Sequence, residues 1–211
     1  MCKKVIALLA LMTTVLAFSA CNGATLHDSD MDIYEKIHTY YNKLQRYSAD
    51  VTFTCYSNKT ENHYTATQKA LGNDKFYIKV ETPEQNGFVT TITNGETTKT
   101  VADSSSYSLT VPTKETMHFL FINHFFKSYY ASEDTYLAVN SGASSNVTIL
   151  ETAVFPAKRD AAKIALSIDN KTLAPVSLTV YSPGGSVTMS APFSNFKYND
   201  QSVQDTDFTT D

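Results

Sequence analysis

Lys75-Phe76-Tyr77-Ile78-Lys79-Val80-Glu81, then Phe88-Val89-Thr90-Thr91-Ile92-Thr93, then Asn94-Gly95 and Thr97-Thr98-Lys99-Thr100-Val101-Ala102 form a run of period-two segments turned on an Asn-Gly dipeptide. Side chains alternate between the two faces of a strand, so such segments read as half-buried β-structure. Asn-Gly supplies the positive φ angles that a tight hairpin needs, and is the strongest short hairpin signal in the chain. Moving outward, residues 49–57, 63–71 and 107–111 alternate in the same way, with turn chemistry at Gly72-Asn73-Asp74 and across residues 83–87. These six segments predict an antiparallel meander. Beyond residue 140 the pattern resumes at 147–155, 163–168, 175–182, 186–191 and 193–198, broken at 169–173 and at Pro183-Gly184-Gly185.

Two helices interrupt the strands. Tyr34, Ile37, Tyr41 and Leu44 recur at three and four residues, which predicts a helix over residues 30–46. Ser29 or Asp30 can cap it, with Asp32 and Glu35 at its positive end and Lys43 and Arg46 at its negative end. Residues 114–130 form a second helical stretch, carrying Phe119, Phe121, Ile122, Phe125 and Phe126 on nearly every side. A helix of that kind cannot lie with one face in water, so it is buried between layers or meets a partner. The expected fold is therefore mainly β with helices: a curved antiparallel sheet forming an incomplete barrel, its concave side covered by two helices. The 12% aromatic content without tryptophan and the abundance of Thr suit such a sheet.

The N-terminus reads as an export address. Lys3 and Lys4 precede an apolar stretch, residues 5–18, that is short for a permanent membrane span. Phe18-Ser19-Ala20-Cys21 resembles the lipobox of bacterial lipoproteins, with Phe18 where Leu is usual. The expectation is a signal peptide over residues 1–20 and a diacylglycerol-bearing Cys21. Cutting after Ser19 by an ordinary signal peptidase is the alternative. Acyl chains at Cys21 would hold the protein at a cell or spore-envelope membrane, each buried methylene contributing about 0.8 kcal/mol. Residues 21–29 then form a tether, 30–200 one domain, and the acidic residues 201–211 a disordered tail.

Composition narrows the partners. The formal charge of −4 becomes about −6 once Lys3 and Lys4 are removed, which disfavours nucleic acid. Cys2 leaves with the signal and Cys21 is acylated, so Cys55 has no partner for an internal disulfide. Cys55 alternates with Val51 and Phe53, which makes it a small buried apolar residue rather than a nucleophile. His118 and His124, six apart on an uninterrupted helix, would lie about 240° apart and could not share a metal, while Glu115 and His118 make only a weak pair. No zinc-protease, thiol-redox, nucleophile-elbow or phosphate-loop motif occurs. No cofactor and no catalysis are expected.

Two stretches carry a family resemblance. Ile168-Asp169-Asn170-Lys171-Thr172-Leu173-Ala174-Pro175-Val176-Ser177-Leu178, with Pro183-Gly184-Gly185 and Phe193-Ser194-Asn195-Phe196-Lys197-Tyr198-Asn199, resembles the closing strands of the LolA/LolB-like superfamily. Lys75 to Pro83 and Thr93-Asn94-Gly95-Glu96 are similar to its central strands. Within that superfamily the chain looks most like the germination lipoprotein GerS group of clostridia. The resemblance implies a half-barrel around an apolar concavity and no catalytic residues. It further implies a protein partner such as a peptidoglycan (cortex) amidase in spore germination, whereas carrier members shield acyl chains. Because residues 119–126 are so aromatic, a filled or partner-facing core is favoured over an open lipid cavity. The exposed strand edges of an open barrel leave a homodimer open.

Overall fold

The computed structural model describes residues 28–57, 59–82, 87–103, 107–113, 118–142 and 145–209. The expected signal peptide, Cys21 and residues 22–27 of the tether lie outside the described residues. Two units divide between Lys36 and Ile37. The first contains the start of helix α1 (Asp28–Asn42), where Lys36 Nζ donates to Asp32 at 2.6 Å one turn earlier, an exposed pair.

The second unit is built on a single antiparallel sheet of 11 strands. In chain order they are β1 (Arg46–Tyr56), β2 (Glu61–Leu71), β3 (Lys75–Thr82), β4 (Gly87–Asn94), β5 (Thr97–Ala102), β6 (Ser108–Pro112), β7 (Thr135–Gly142), β8 (Ser145–Lys158), β9 (Ala161–Asp169), β10 (Pro175–Tyr181) and β11 (Val187–Tyr198). Their spatial order is β6-β5-β4-β3-β2-β1-β11-β10-β9-β8-β7, so β1 and β11 join the two meanders and β6 and β7 are edges. The sheet is open, as expected. Helix α2 (Ile122–Ala131), preceded by a 3-10 turn at His118–Leu120, covers part of one face.

That inner face follows from the alternation. Tyr47, Ala49, Val51 and Phe53 of β1 are buried, and their partners Ala70, Gln68 and Ala66 on β2 are buried with them. On the other side of β1, Leu178 pairs with Leu166 and Leu166 with Leu150, all three without exposure to solvent beyond 1%. A strand's period of two turns each such row into continuous apolar surface, which is what sheet and helix bury together.

Five expectations need correction. Helix α1 stops at Asn42 rather than 46, because Arg46 is taken into β1 opposite Leu71 and Asn199 Oδ1 accepts the backbone N–H groups of Gln45 (2.8 Å) and Arg46 (3.3 Å). Helix 114–130 is not continuous: Phe121 is extended at φ −97°, ψ 136°, separating the 3-10 turn from α2. Segments 186–191 and 193–198 are one strand, β11, passing through Pro192, which pairs with Ser177 of β10, and β7 was not expected at all.

The fifth concerns the tail, which is ordered through residue 209. Its 3-10 helix, Asp205–Phe208, carries a capping box between Gln204 and Asp207, and Val203 and Phe208 are 0% and 2% exposed. Ser48 Oγ donates to Asp200 at 2.5 Å, Arg46 Nη1 to the Val203 carbonyl at 3.0 Å, and Lys69 Nζ to Asp207 at 2.6 Å. Arg46, Ser48 and Lys69 all lie on the outer face by parity, so the tail crosses that face over β1 and β2. Within the tail expected to be disordered, Asp207 and Asp205 pair with the strand cations Lys69 and Lys75.

Candidate functional site

Helix α2 is seated by one buried relay. The Ile122 backbone N–H donates to Tyr47 Oη at 3.1 Å, Tyr47 Oη donates to Gln68 Oε1 at 2.7 Å, and Gln68 Nε2 donates to the Leu120 carbonyl at 3.1 Å. Tyr47 and Gln68 are fully buried, and burial pushes the Tyr47 hydroxyl far above the ordinary tyrosine value, so it remains a donor. The relay satisfies orphan backbone groups at the break in the helix, which buried ends require. Sequence reasoning did not single out either residue. The one signal was Gln68 standing between Ala66 and Ala70 on an otherwise apolar parity.

Phe119, Phe121, Ile122, Phe125 and Phe126 are brought together, none more than 6% exposed. Phe121 packs on Phe76 with ring centroids 4.6 Å apart, and Phe126 stacks on Tyr41 of α1 at 4.2 Å. Tyr41 in turn donates to the Leu173 carbonyl at 2.8 Å. These five side chains fill the space over the strands; they form core, with no exposed aromatic patch among them.

The break at Phe121 also rearranges the histidines. The ring centroids of His118 and His124 lie 5.8 Å apart, and both rings contact Phe76. The 240° separation expected of a continuous helix is therefore wrong. Glu115 lies outside the described residues, and no group of three metal-binding side chains occurs among the described residues. Burial first, then the charges of His124 and Lys127, hold His118 down to about 4 from 6.5; burial and Lys127 also lower His124. A histidine harder to protonate folded than unfolded leaves the unfolded state binding more protons, so stability is full above pH 6.5 and falls as pH drops toward about 4. Discounted for the half-exposed ring, His118 contributes about 1–2 kcal/mol across that window. Thermal unfolding of wild type and His118→Gln against pH will show the difference: the variant loses less stability on acidification.

Beyond α2 the inner face changes character. One cross-strand row runs Gln68, Ile78, Thr91, Thr100, Leu109, and the next runs Ala66, Val80, Val89, Ala102. Gln68 and Ala66 are buried, Ile78, Val80 and Val89 are half-buried, and at the edge Leu109 is 47% exposed. The row above, Phe76, Thr93 and Thr98, is closed by His118 and Phe121, with Thr93 Oγ1 3.3 Å from His118 Nε2. A strip of Ile78, Val80 and Val89, interrupted by Thr91 and Thr100, thus starts at the helix and ends at Leu109 on the edge strand β6, beside Tyr107 at 55% exposure. Half-exposed, largely apolar surface leading to a sheet edge has the composition of a binding surface. Cys55, opposite Met189 of β11, is half-buried on the same face, and burial raises its thiol above the usual value.

The model of a family described as sporulation protein YdcC-like matches residues 2–208. No curated protein sequence matches the chain. Among solved structures, an uncharacterised conserved protein of Thermus thermophilus superposes with a TM-score of 0.53 at 12% identity, over 85% of this chain and 92% of the matched one, and so shares the fold. A complex of the CwlD amidase with the GerS lipoprotein from Clostridioides difficile gives 0.46 at 17% identity, over 83% and 99%. A LolA superfamily protein from Nitrosomonas europaea gives 0.45 at 13%, over 86% and 97%.

Proposed function

The chain belongs to the YdcC-like sporulation protein family, and from that premise we propose that it is a membrane-anchored, non-catalytic envelope lipoprotein that works by binding another protein. The observation that carries this reading is the division of the inner face. Phe125 and its neighbours fill one half, while the strip through Ile78, Val80, Val89 and Leu109 stays half-exposed and runs out to an unpaired strand edge. A surface of that kind suits an apolar side chain and an added strand from a partner. The resemblance to the GerS group makes a peptidoglycan amidase the first partner to test, and export with acylation at Cys21 would hold the pair at a membrane.

The same strip favours a second reading, a carrier or receptor for lipid or lipoprotein acyl chains, because Val80 and Val89 offer methyl groups and no charge. Two measurements separate them. Chain carrying Cys21→Ala, purified from bacteria, will show no fatty acid by mass spectrometry; one acyl chain per protein would favour the carrier. In pull-downs against envelope amidases the same chain will capture a peptidoglycan hydrolase, and Leu109→Asp will abolish capture while leaving the melting temperature unchanged, since Leu109 is already solvent-exposed. Capture of no hydrolase would count against the amidase assignment.

A further inference from the structure

At the end of the sheet opposite Arg46, three connections meet: Ser57 with Lys59 and Thr60 between β1 and β2, 159–160 between β8 and β9, and 182–186 between β10 and β11. Thr188 Oγ1 ties two of them by donating to the Asp160 carbonyl at 2.6 Å. They border an open cleft of about 760 Å3 lined by Lys59, Arg159, Asp160, Ser182, Ser186 and Thr188, together with Tyr56 and Val187. The chain as a whole is acidic, yet Lys59 and Arg159 face this cleft with Asp160, Lys158 precedes Arg159 and Glu61 stands opposite Tyr56 at the start of β2; none of the three cations pairs with a carboxylate among the described residues. Tyr56 and Val187 are both 41% exposed.

We propose that this cleft receives the phosphate headgroup of an anionic lipid and sets the tip of the sheet against an anionic bilayer. An arginine fork, an ammonium and hydroxyl donors are the groups that hold phosphate oxygens. Free phosphate would use only those. The exposed tyrosine ring and valine gain from the boundary between headgroups and acyl chains, where tyrosine is enriched and lysine and arginine stems lie along apolar surface. That pairing of cations with exposed apolar side chains is why a lipid is favoured over a soluble anion. The inference is independent of the partner-binding reading and of acylation at Cys21.

The test is co-sedimentation of the full chain carrying Cys21→Ala with phosphatidylcholine vesicles, with and without phosphatidylglycerol. Phosphatidylglycerol will increase the bound fraction in a salt-sensitive way. Lys59→Gln with Arg159→Gln will reduce that phosphatidylglycerol-dependent binding about 25-fold, whereas Lys43→Gln with Lys171→Gln, equal in charge but at the opposite end, will not. Absence of a phosphatidylglycerol effect, or equal losses in the two double variants, overturns the proposal. So does binding of glycerol 3-phosphate in solution that is lost in the cleft variant without any vesicle preference, which would assign the cleft to a soluble phosphate.

Discussion

Phe125→Ala will lower the free energy of unfolding by about 3–5 kcal/mol, the cost of emptying a well-packed core site. Phe125 has no exposed surface and sits edge-on to Phe126 at 5.4 Å and stacked with Tyr129 at 5.9 Å, with α2 against β8. Its neighbours cannot collapse freely into the gap, because α2 is pinned at its start by the bond from Ile122 to Tyr47 and at its side by Asn123 Nδ2, which donates to the Gly72 carbonyl at 2.5 Å. Urea denaturation monitored by circular dichroism measures the change. The variant has a second readout: the vacated volume is apolar and dry, so it will bind a small hydrophobic probe that wild type excludes. A loss below about 1 kcal/mol would mean that the aromatic cluster is loosely packed and that the filled half of the inner face is not filled.

Phe208→Ala will cost about 3–4 kcal/mol, the loss expected for a buried aromatic ring. Phe208 closes the tail that crosses the outer face, and together with Val203 it is the apolar anchor of that crossing. The ion pair between Lys75 and Asp205 on the same tail is solvent-exposed at the carboxylate, and Lys75→Ala will leave the unfolding midpoint unchanged within error. Comparing the two variants by chemical denaturation separates ring burial from surface charge. Equal effects would show that charge, not burial, holds the tail.

Much of this architecture can be read from local pattern. The parity of Val51 and Phe53, of Ala66 and Ala70, and of Ile164, Leu166 and Ile168 marks the buried face, because a strand's side chains repeat every two residues whatever lies beside it. Asn94-Gly95 and Pro183-Gly184-Gly185 mark turns, and Gly95 and Gly185 adopt positive φ, which side chains with a Cβ resist. β7 escaped because an edge strand is paired on one side only. Its Leu137 and Val139 are half-exposed, so the alternation that betrays a central strand is diluted by Tyr136, which is 58% exposed. Pro192 read as a break because proline removes a ladder donor, yet one missing N–H is tolerated where the flanking pairs hold β11 to both β1 and β10.

The five aromatic and aliphatic residues of the candidate site were legible as a group, and their role was not. Hydrophobicity on every side of residues 119–126 states only that water is excluded, and either core or partner satisfies that condition. The choice was made by Tyr47 and Gln68, more than 50 residues earlier in the chain, which accept and redirect the backbone at a break that no helical periodicity encodes. The same break brings His118 beside His124, and pairing of β1 with β11 brings Asn199 to the end of α1 and the acidic tail to Lys69. Alternation and turn residues act between neighbours in the chain, so one sequence suffices to read them. Coverage of the sheet, its open strip and the cationic cleft depend on contacts between residues far apart in the chain, and those exist only once register and strand order have been set.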